Sequence, residues 1–258
     1  MQLSTKELVV LDGAMGTMLQ QAGLRPGEVP EMLALTNPDL LTSIHRQYID
    51  AGSRIIYTNT FGANRRKLDP CGATVQEIVP AAVRAARKAA EGTAASVALD
   101  IGPLGALMEP LGEMSFEEAY ACFAEMARAG AEAGADLAVI ETMSDLAETR
   151  AALLAVKENT DLPCLVTMSF EATGRTFVGC TLATMAHTLE GLGADAIGLN
   201  CSLGPHQAAP MIRELCAHTS LPVIAKPNAG LPDPVTGGYD LGPEAFAQAV
   251  MECVAAGA

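Results

Sequence analysis

The stretch Ala133-Gly134-Ala135-Asp136-Leu137-Ala138-Val139-Ile140-Glu141-Thr142-Met143 carries the fold in miniature. Its Ala-Gly-small tripeptide closes a helical segment. Glycine is the expected residue there, free to take positive φ and turn the chain back toward a sheet. An apolar run follows and ends in polar residues, a carboxylate among them. The same unit recurs: Ala51-Gly52-Ser53 and Leu192-Gly193-Ala194 stand before two further runs. The apolar runs are Leu8–Gly13, Ser53–Phe61, Ser96–Gly102, Leu137–Met143, Cys164–Phe170, Ala196–Cys201 and Leu221–Asn228, and a helical stretch follows each. Strand alternating with amphipathic helix is the signature of βαβ units and a parallel sheet.

Eight such units close a TIM-type (β/α)8 barrel, for which about 250 residues are typical. The 258 residues suit one domain, with no internal linker, low-complexity tract or second domain. The Pro/Gly-rich stretch Gly230–Gly238 reads as a loop on the functional face, and a last helix begins near Pro243. The chain then stops at Ala256-Gly257-Ala258, the kind of tripeptide that elsewhere precedes a run. Seven parallel strands would leave two unpaired edges and an open core, which proteins normally avoid. The expectation is therefore an α/β protein with a parallel (β/α)8 barrel spanning 1–258, C-terminally incomplete because the eighth strand is missing.

Composition narrows the function. Half the residues are hydrophobic, aromatics are 4% and tryptophan is absent, so the core must be built from Val, Leu, Ile, Ala and Met. A formal charge of −14 argues against nucleic acid, since phosphate binding relies on clustered Lys and Arg. No apolar run approaches the ~20 residues of a membrane helix. The segment Met1–Glu7 is polar and lacks the basic-then-apolar layout of a signal peptide. Seven cysteines without a Cys-x-x-Cys pair, with Cys122, Cys216 and Cys253 in helical segments and Cys71 in a loop, suggest a reducing cytoplasm.

In such a barrel, chemistry sits at the C-terminal ends of the strands. The first run closes with Asp12-Gly13-Ala14-Met15-Gly16-Thr17, where glycines let backbone N–H groups approach an anion beside the Asp12 carboxylate. Amide donors and an acid together suit a zwitterion. Glu141 ends a wholly apolar run, where a lone carboxylate is costly unless paired or bound to a cation. Its structural alternative is an ion pair with a neighbouring Arg or Lys, Lys226 included. Asn59, Asn200 and Asn228, with Thr58 and Thr60, end three further runs and can hold a ligand, or simply brace loops.

Cys201 is the residue that could do chemistry, though a strand-end cysteine is often a small buried hydrophobe. A nucleophile wants an activating histidine, and His45, His187, His206 and His218 all fall in helical or loop segments. A zinc site wants three or four ligands, and Cys201 has no obvious companions in this chain.

The motifs Asp12-Gly13-Ala14-Met15-Gly16-Thr17, Thr58-Asn59-Thr60-Phe61-Gly62-Ala63-Asn64, Glu141-Thr142, Gly198-Leu199-Asn200-Cys201 and Pro227-Asn228-Ala229-Gly230 resemble the homocysteine S-methyltransferase family. The likeness is strongest to the N-terminal homocysteine-binding module of cobalamin-dependent methionine synthases, and it runs from about residue 8 to the end. It implies a barrel that binds homocysteine and zinc, with Cys201 as one zinc thiolate. The other two thiolates, adjacent cysteines in a Gly-Gly-Cys-Cys motif ending strand eight, are absent from this sequence. Cys253, in the last helix, does not replace them. The resemblance also implies that Asp12 and Glu141 engage the homocysteine ammonium, and that the Gly13–Ala14 turn meets its carboxylate. Zinc would ionise the substrate thiol, which would attack an activated methyl group to give methionine. The methyl donor is expected to be methylcobalamin on a corrinoid-carrying domain or protein; family relatives use betaine or S-methylmethionine.

Two rivals stand beside this reading. One is a Schiff-base, aldolase-type enzyme with Lys226 as the amine. The other is a zinc-free barrel that binds an amino acid without turnover.

Overall fold

Backbone amides that find partners on neighbouring parallel strands define β1 (Ile55–Tyr57), β2 (Ser96–Ile101), β3 (Leu137–Met143), β4 (Cys164–Met168), β5 (Ala196–Asn200) and β6 (Val223–Lys226). The structure is a computed structural model that describes residues 8–230, 239 and 241–258. It divides into two compact units, Lys6–Val139 with Leu154–Pro163, and Ile140–Leu153 with Cys164–Ala258.

In the first unit β1, β2 and the start of β3 follow one another in chain order. Ile55, Ile56 and Tyr57 pair with Ser96, Val97 and Ala98. Every residue of β1 is buried, as expected for parallel strands covered on both faces. The helix Pro38–Asp50 starts with Asn37 accepting from the Leu40 amide at 3.3 Å, with Pro38 in its first turn. Thr74 and Glu77 form a capping box at the start of Val75–Ala90. These two helices pack on each other, and Tyr48 and Ile49 cover a core of Ile56, Ala86, Ala90 and Val97.

In the second unit the end of β3, β4, β5 and β6 again follow chain order. Leu165–Met168 pair with Ala196–Leu199, and Ile197–Asn200 with Val223–Lys226. The helices Pro205–Cys216 and Pro243–Ala256 pack together, the thiol of Cys253 lying 3.5 Å from the Pro205 carbonyl. Burial pushes that thiol's pKa up, as suits an inert core cysteine.

The predicted turns are present: Gly52, Gly134 and Gly193 take φ of 110°, 91° and 85°. Gly198 has a different role. A Cβ there would collide with the Ile224 carbonyl oxygen on β6. Gly198→Ala is therefore expected to destabilise the chain by about 1–3 kcal/mol, the usual range for overpacking. A denaturant midpoint unchanged from wild type would show that the β5–β6 spacing can give.

The first expected strand is reduced to a bridge. Within Leu8–Gly13 the structure has a single parallel bridge, Leu11 to Ile55. Beyond it, the Tyr57 amide donates to the Asp12 carboxylate at 2.7 Å. A side chain there takes up a strand amide that a continuing ladder would offer a backbone carbonyl. Of the seven strands expected, the described residues thus form six, with the Leu11–Ile55 bridge in place of the first. Met1–Glu7 and, beyond Gly230, the predicted Gly230–Gly238 loop lie outside the described residues. Among the described residues no helix is long and apolar enough to cross a membrane.

Candidate functional site

In the first unit the polar residues that end the Leu8–Gly13 run and follow β1 are buried and engaged. Asp12 is 6% exposed and accepts from Tyr57, as above. Asn59, also 6% exposed, donates to the Pro30 carbonyl at 2.8 Å. Thr58 and Thr60 bond to each other at 2.7 Å, and Thr60 donates to the Asp100 carbonyl at 2.7 Å. These hydroxyls tie the end of β1 to the end of β2. The Gly13 position lies against Tyr48: an added Cβ would be 2.8 Å from the ring. Tyr48 also donates to the Ala14 carbonyl at 3.0 Å, which fixes the turn that holds both residues.

Three residues here were not foreseen. Tyr48 lies on a helix, and the buried Glu31, which accepts from the Gly62 amide at 2.6 Å, lies in a short 3₁₀ turn. A search of strand ends passes over both. Asp100, 7% exposed, does end a run as Asp100-Ile101-Gly102, and that position was a usable signal.

In the second unit Glu141 and Lys226, from β3 and β6, form an ion pair at 3.4 Å. This is the structural alternative foreseen for both residues. Next to Glu141, Thr142 takes φ of 62°, and Cys201 and Ser202 take 57° and 59°. Left-handed backbone is a genuine outlier for a β-branched residue, and such strain costs of order 1–3 kcal/mol per residue. It persists where the surroundings enforce it. Here Asn200 does so: its Oδ1 accepts from the Thr142 amide at 2.9 Å and its Nδ2 donates to Thr142 Oγ1 at 2.7 Å. The same Nδ2 lies 3.5 Å from Cys201 Sγ.

Asn200, 2% exposed, therefore works as a clamp between Thr142 and Cys201. Asn228, half-buried, donates its backbone amide to the Leu203 carbonyl at 2.9 Å. Cys201 itself is exposed, unlike Cys122, Cys164 and Cys253. It borders a recess lined by Phe170, Leu199, Asn200, Leu203 and Pro227, with a volume of about 10 Å³. That is room for roughly one water-sized guest.

A zinc ion wants three protein ligands or more. Among the described residues no three His, Cys, Asp or Glu side chains are grouped to hold a metal ion. An exposed strand-end thiolate suits one position of a zinc site, but the described residues do not by themselves fit the whole of one.

Known proteins resemble the chain over nearly its whole length. The chain is 32% identical to the methionine synthase of Mycobacterium leprae over 97% of its own length and 22% of that protein's. It is 31% identical to the methionine synthase of Mycobacterium tuberculosis, over 97% and 23%. The chain thus spans less than a quarter of these relatives. The homocysteine methyltransferase MmuM from Escherichia coli, in its metallated form, shares the fold at a TM-score of 0.80 and 24% identity, over 98% of this chain and 90% of that one. A more distant likeness joins the carboxyl transferase domain of Rhizobium etli pyruvate carboxylase, with TM-score 0.58 and 17% identity, over 98% and 39%. Both likenesses bear on the fold alone. The family model for homocysteine S-methyltransferase matches residues 9–258, the span that holds every motif named above, and so the chain belongs to the homocysteine S-methyltransferase family.

Proposed function

We propose that this chain is a homocysteine-binding barrel that accepts a methyl group onto the substrate sulfur, giving methionine. The observation that carries the reading is Cys201: an exposed strand-end thiol beside a left-handed turn, clamped by a buried Asn200. A cysteine kept only for packing needs neither the exposure nor the strain. In the reaction the sulfur lone pair forms the S–CH3 bond and the methyl–donor bond breaks. The bonding electron pair stays with the donor, and the thiol proton is released.

On this reading Cys201 supplies one thiolate to a zinc ion. The likeness to methionine synthases supports methylcobalamin as donor, carried by a corrinoid domain or protein, and the reading puts the chain in the cytoplasm as one barrel domain over 1–258. The substrate groups are Asp12 and Glu141 for the ammonium, and the Gly13–Ala14 turn for the carboxylate. Asn59, Asn200 and Asn228 act around them, Asn200 through its clamp. Tyr48 holds the turn in place.

Removing one carboxylate of a partly buried, charge-assisted contact typically costs about 1.5–3 kcal/mol. Asp12→Asn or Glu141→Gln is therefore expected to weaken homocysteine binding roughly tenfold or more by calorimetry. The fold should survive Asp12→Asn, because the new amide oxygen can still accept from Tyr57. Unchanged affinity in both variants would sink the ammonium assignment.

A further inference from the structure

A side chain points where its own backbone sends it, and the backbone beyond Glu141 is held by one residue. The peptide that joins Glu141 to Thr142 is planar, so fixing its N–H also fixes the backbone at Glu141. That N–H donates to Asn200 Oδ1 at 2.9 Å. Asn200 Nδ2 in turn donates to Thr142 Oγ1 at 2.7 Å, so a single amide grips Thr142 at both backbone and hydroxyl. Asn200 is itself well anchored. It is 2% exposed, it pairs with Lys226 in the β5–β6 ladder, and its carbonyl accepts from Ser169 Oγ at 3.0 Å.

The grip works against a strain. Thr142 takes φ of 62°, where a β-branched residue is a genuine outlier. In an unbroken strand Glu141 and Met143 would point to the same face. Met143 is fully buried, whereas Glu141 is half-buried and reaches Lys226. The left-handed residue between them breaks the alternation and lets the carboxylate and the thioether go different ways.

We propose that Asn200, acting through the Thr142 turn, is the positioning residue that aims the Glu141 carboxylate at the substrate ammonium. The inference rests on the ammonium reading of Glu141 above and adds to it the group that sets the direction of that carboxylate. Without the grip, Thr142 relaxes toward the extended backbone that threonine prefers. Glu141 then turns with the peptide it shares, and its carboxylate leaves the ammonium position.

The test uses the 258-residue chain and homocysteine, under reducing conditions and followed by calorimetry. Asn200→Ala should weaken binding about tenfold, as if one charge-assisted contact were lost. In a Glu141→Gln background the same substitution should cost little more, because the group that Asn200 aims is already gone. Residues that act through one another are non-additive in this way. Adding Thr142→Gly to Asn200→Ala should restore most of the affinity, since glycine takes positive φ without strain. Thr142→Ala removes only the hydroxyl bond and serves if Asn200→Ala does not fold. Its smaller loss should likewise vanish beside Glu141→Gln.

Equal losses from Asn200→Ala with and without Glu141 would mark a merely structural asparagine and overturn the proposal. Full affinity in Asn200→Ala would overturn it too, as would a failure of Thr142→Gly to restore binding, since the turn would then not be the route. Glu141→Gln that binds homocysteine as tightly as wild type is a different result: it would overturn the ammonium reading, and this inference with it.

Discussion

Lowering the pH from 7 to 4 should cost the wild-type chain about 3 kcal/mol of stability through His45 alone, and His45→Leu should remove that share. His45 lies on the helix Pro38–Asp50 and is fully buried. Among the described residues neither of its ring nitrogens has a hydrogen-bond partner. Burial, with no charged neighbour contributing, lowers its pKa from 6.5 to about 4. The unfolded chain takes up a proton near pH 6.5, whereas the folded chain refuses it until about pH 4. Between those values the unfolded state binds more protons, so stability falls as pH falls. Below about pH 4 both states are charged and the loss levels off. The net charge of −14 pulls the other way, because protonating carboxylates relieves repulsion. The difference between wild type and His45→Leu cancels that background. Denaturant unfolding at pH 7, 5.5 and 4 should show the variant gaining steadily on wild type. Parallel stability curves would refute a neutral buried imidazole.

The sequence makes the strand ends legible and leaves the fate of their side chains hidden. β3 appears over the predicted Leu137–Met143 because a positive-φ glycine before it and a polar turn after it bound one unbroken apolar run. The second run shrinks from Ser53–Phe61 to Ile55–Tyr57 because Thr58, Asn59 and Thr60 spend their side chains on neighbouring loops and on β2. Residue type alone cannot say whether such a group faces a ligand or the protein. Asn200 illustrates the limit: the motif marks it as a site residue, but only the folded structure reveals an amide turned onto Thr142 and Cys201. The strain at Thr142 is equally invisible, since glycine and asparagine announce left-handed backbone and threonine does not. Tyr48 and Glu31 reach the turns from helical segments, which a search of strand ends never visits.

Metal content should separate Cys201 from every other cysteine. As isolated, the 258-residue chain should carry well below one zinc per chain, because one thiolate does not make a zinc site. Five of the remaining cysteines offer no substitute, and Cys71, though exposed, sits in a short helical turn of the first unit rather than at a strand end. Cys122, Cys164 and Cys253 are buried, and burial also raises the thiol pKa of Cys180 and Cys216, which disfavours the thiolate a metal needs. Appending a strand that ends in Gly-Gly-Cys-Cys, the motif that the sequence resemblance implies, should on the proposed reading bring the count near three thiolates and the zinc content near one. Cys201→Ser in the extended chain should return it to the low value, since a neutral hydroxyl is a poor zinc ligand. His218→Ala, on a residue outside every proposed site, serves as the control and should leave the extended chain's zinc unchanged. Mass-spectrometric metal analysis of all four proteins, purified side by side, gives the answer without any assay of turnover. Tightly held, stoichiometric zinc in the 258-residue chain would mean that the ligands lie elsewhere and that Cys201 has been given the wrong role.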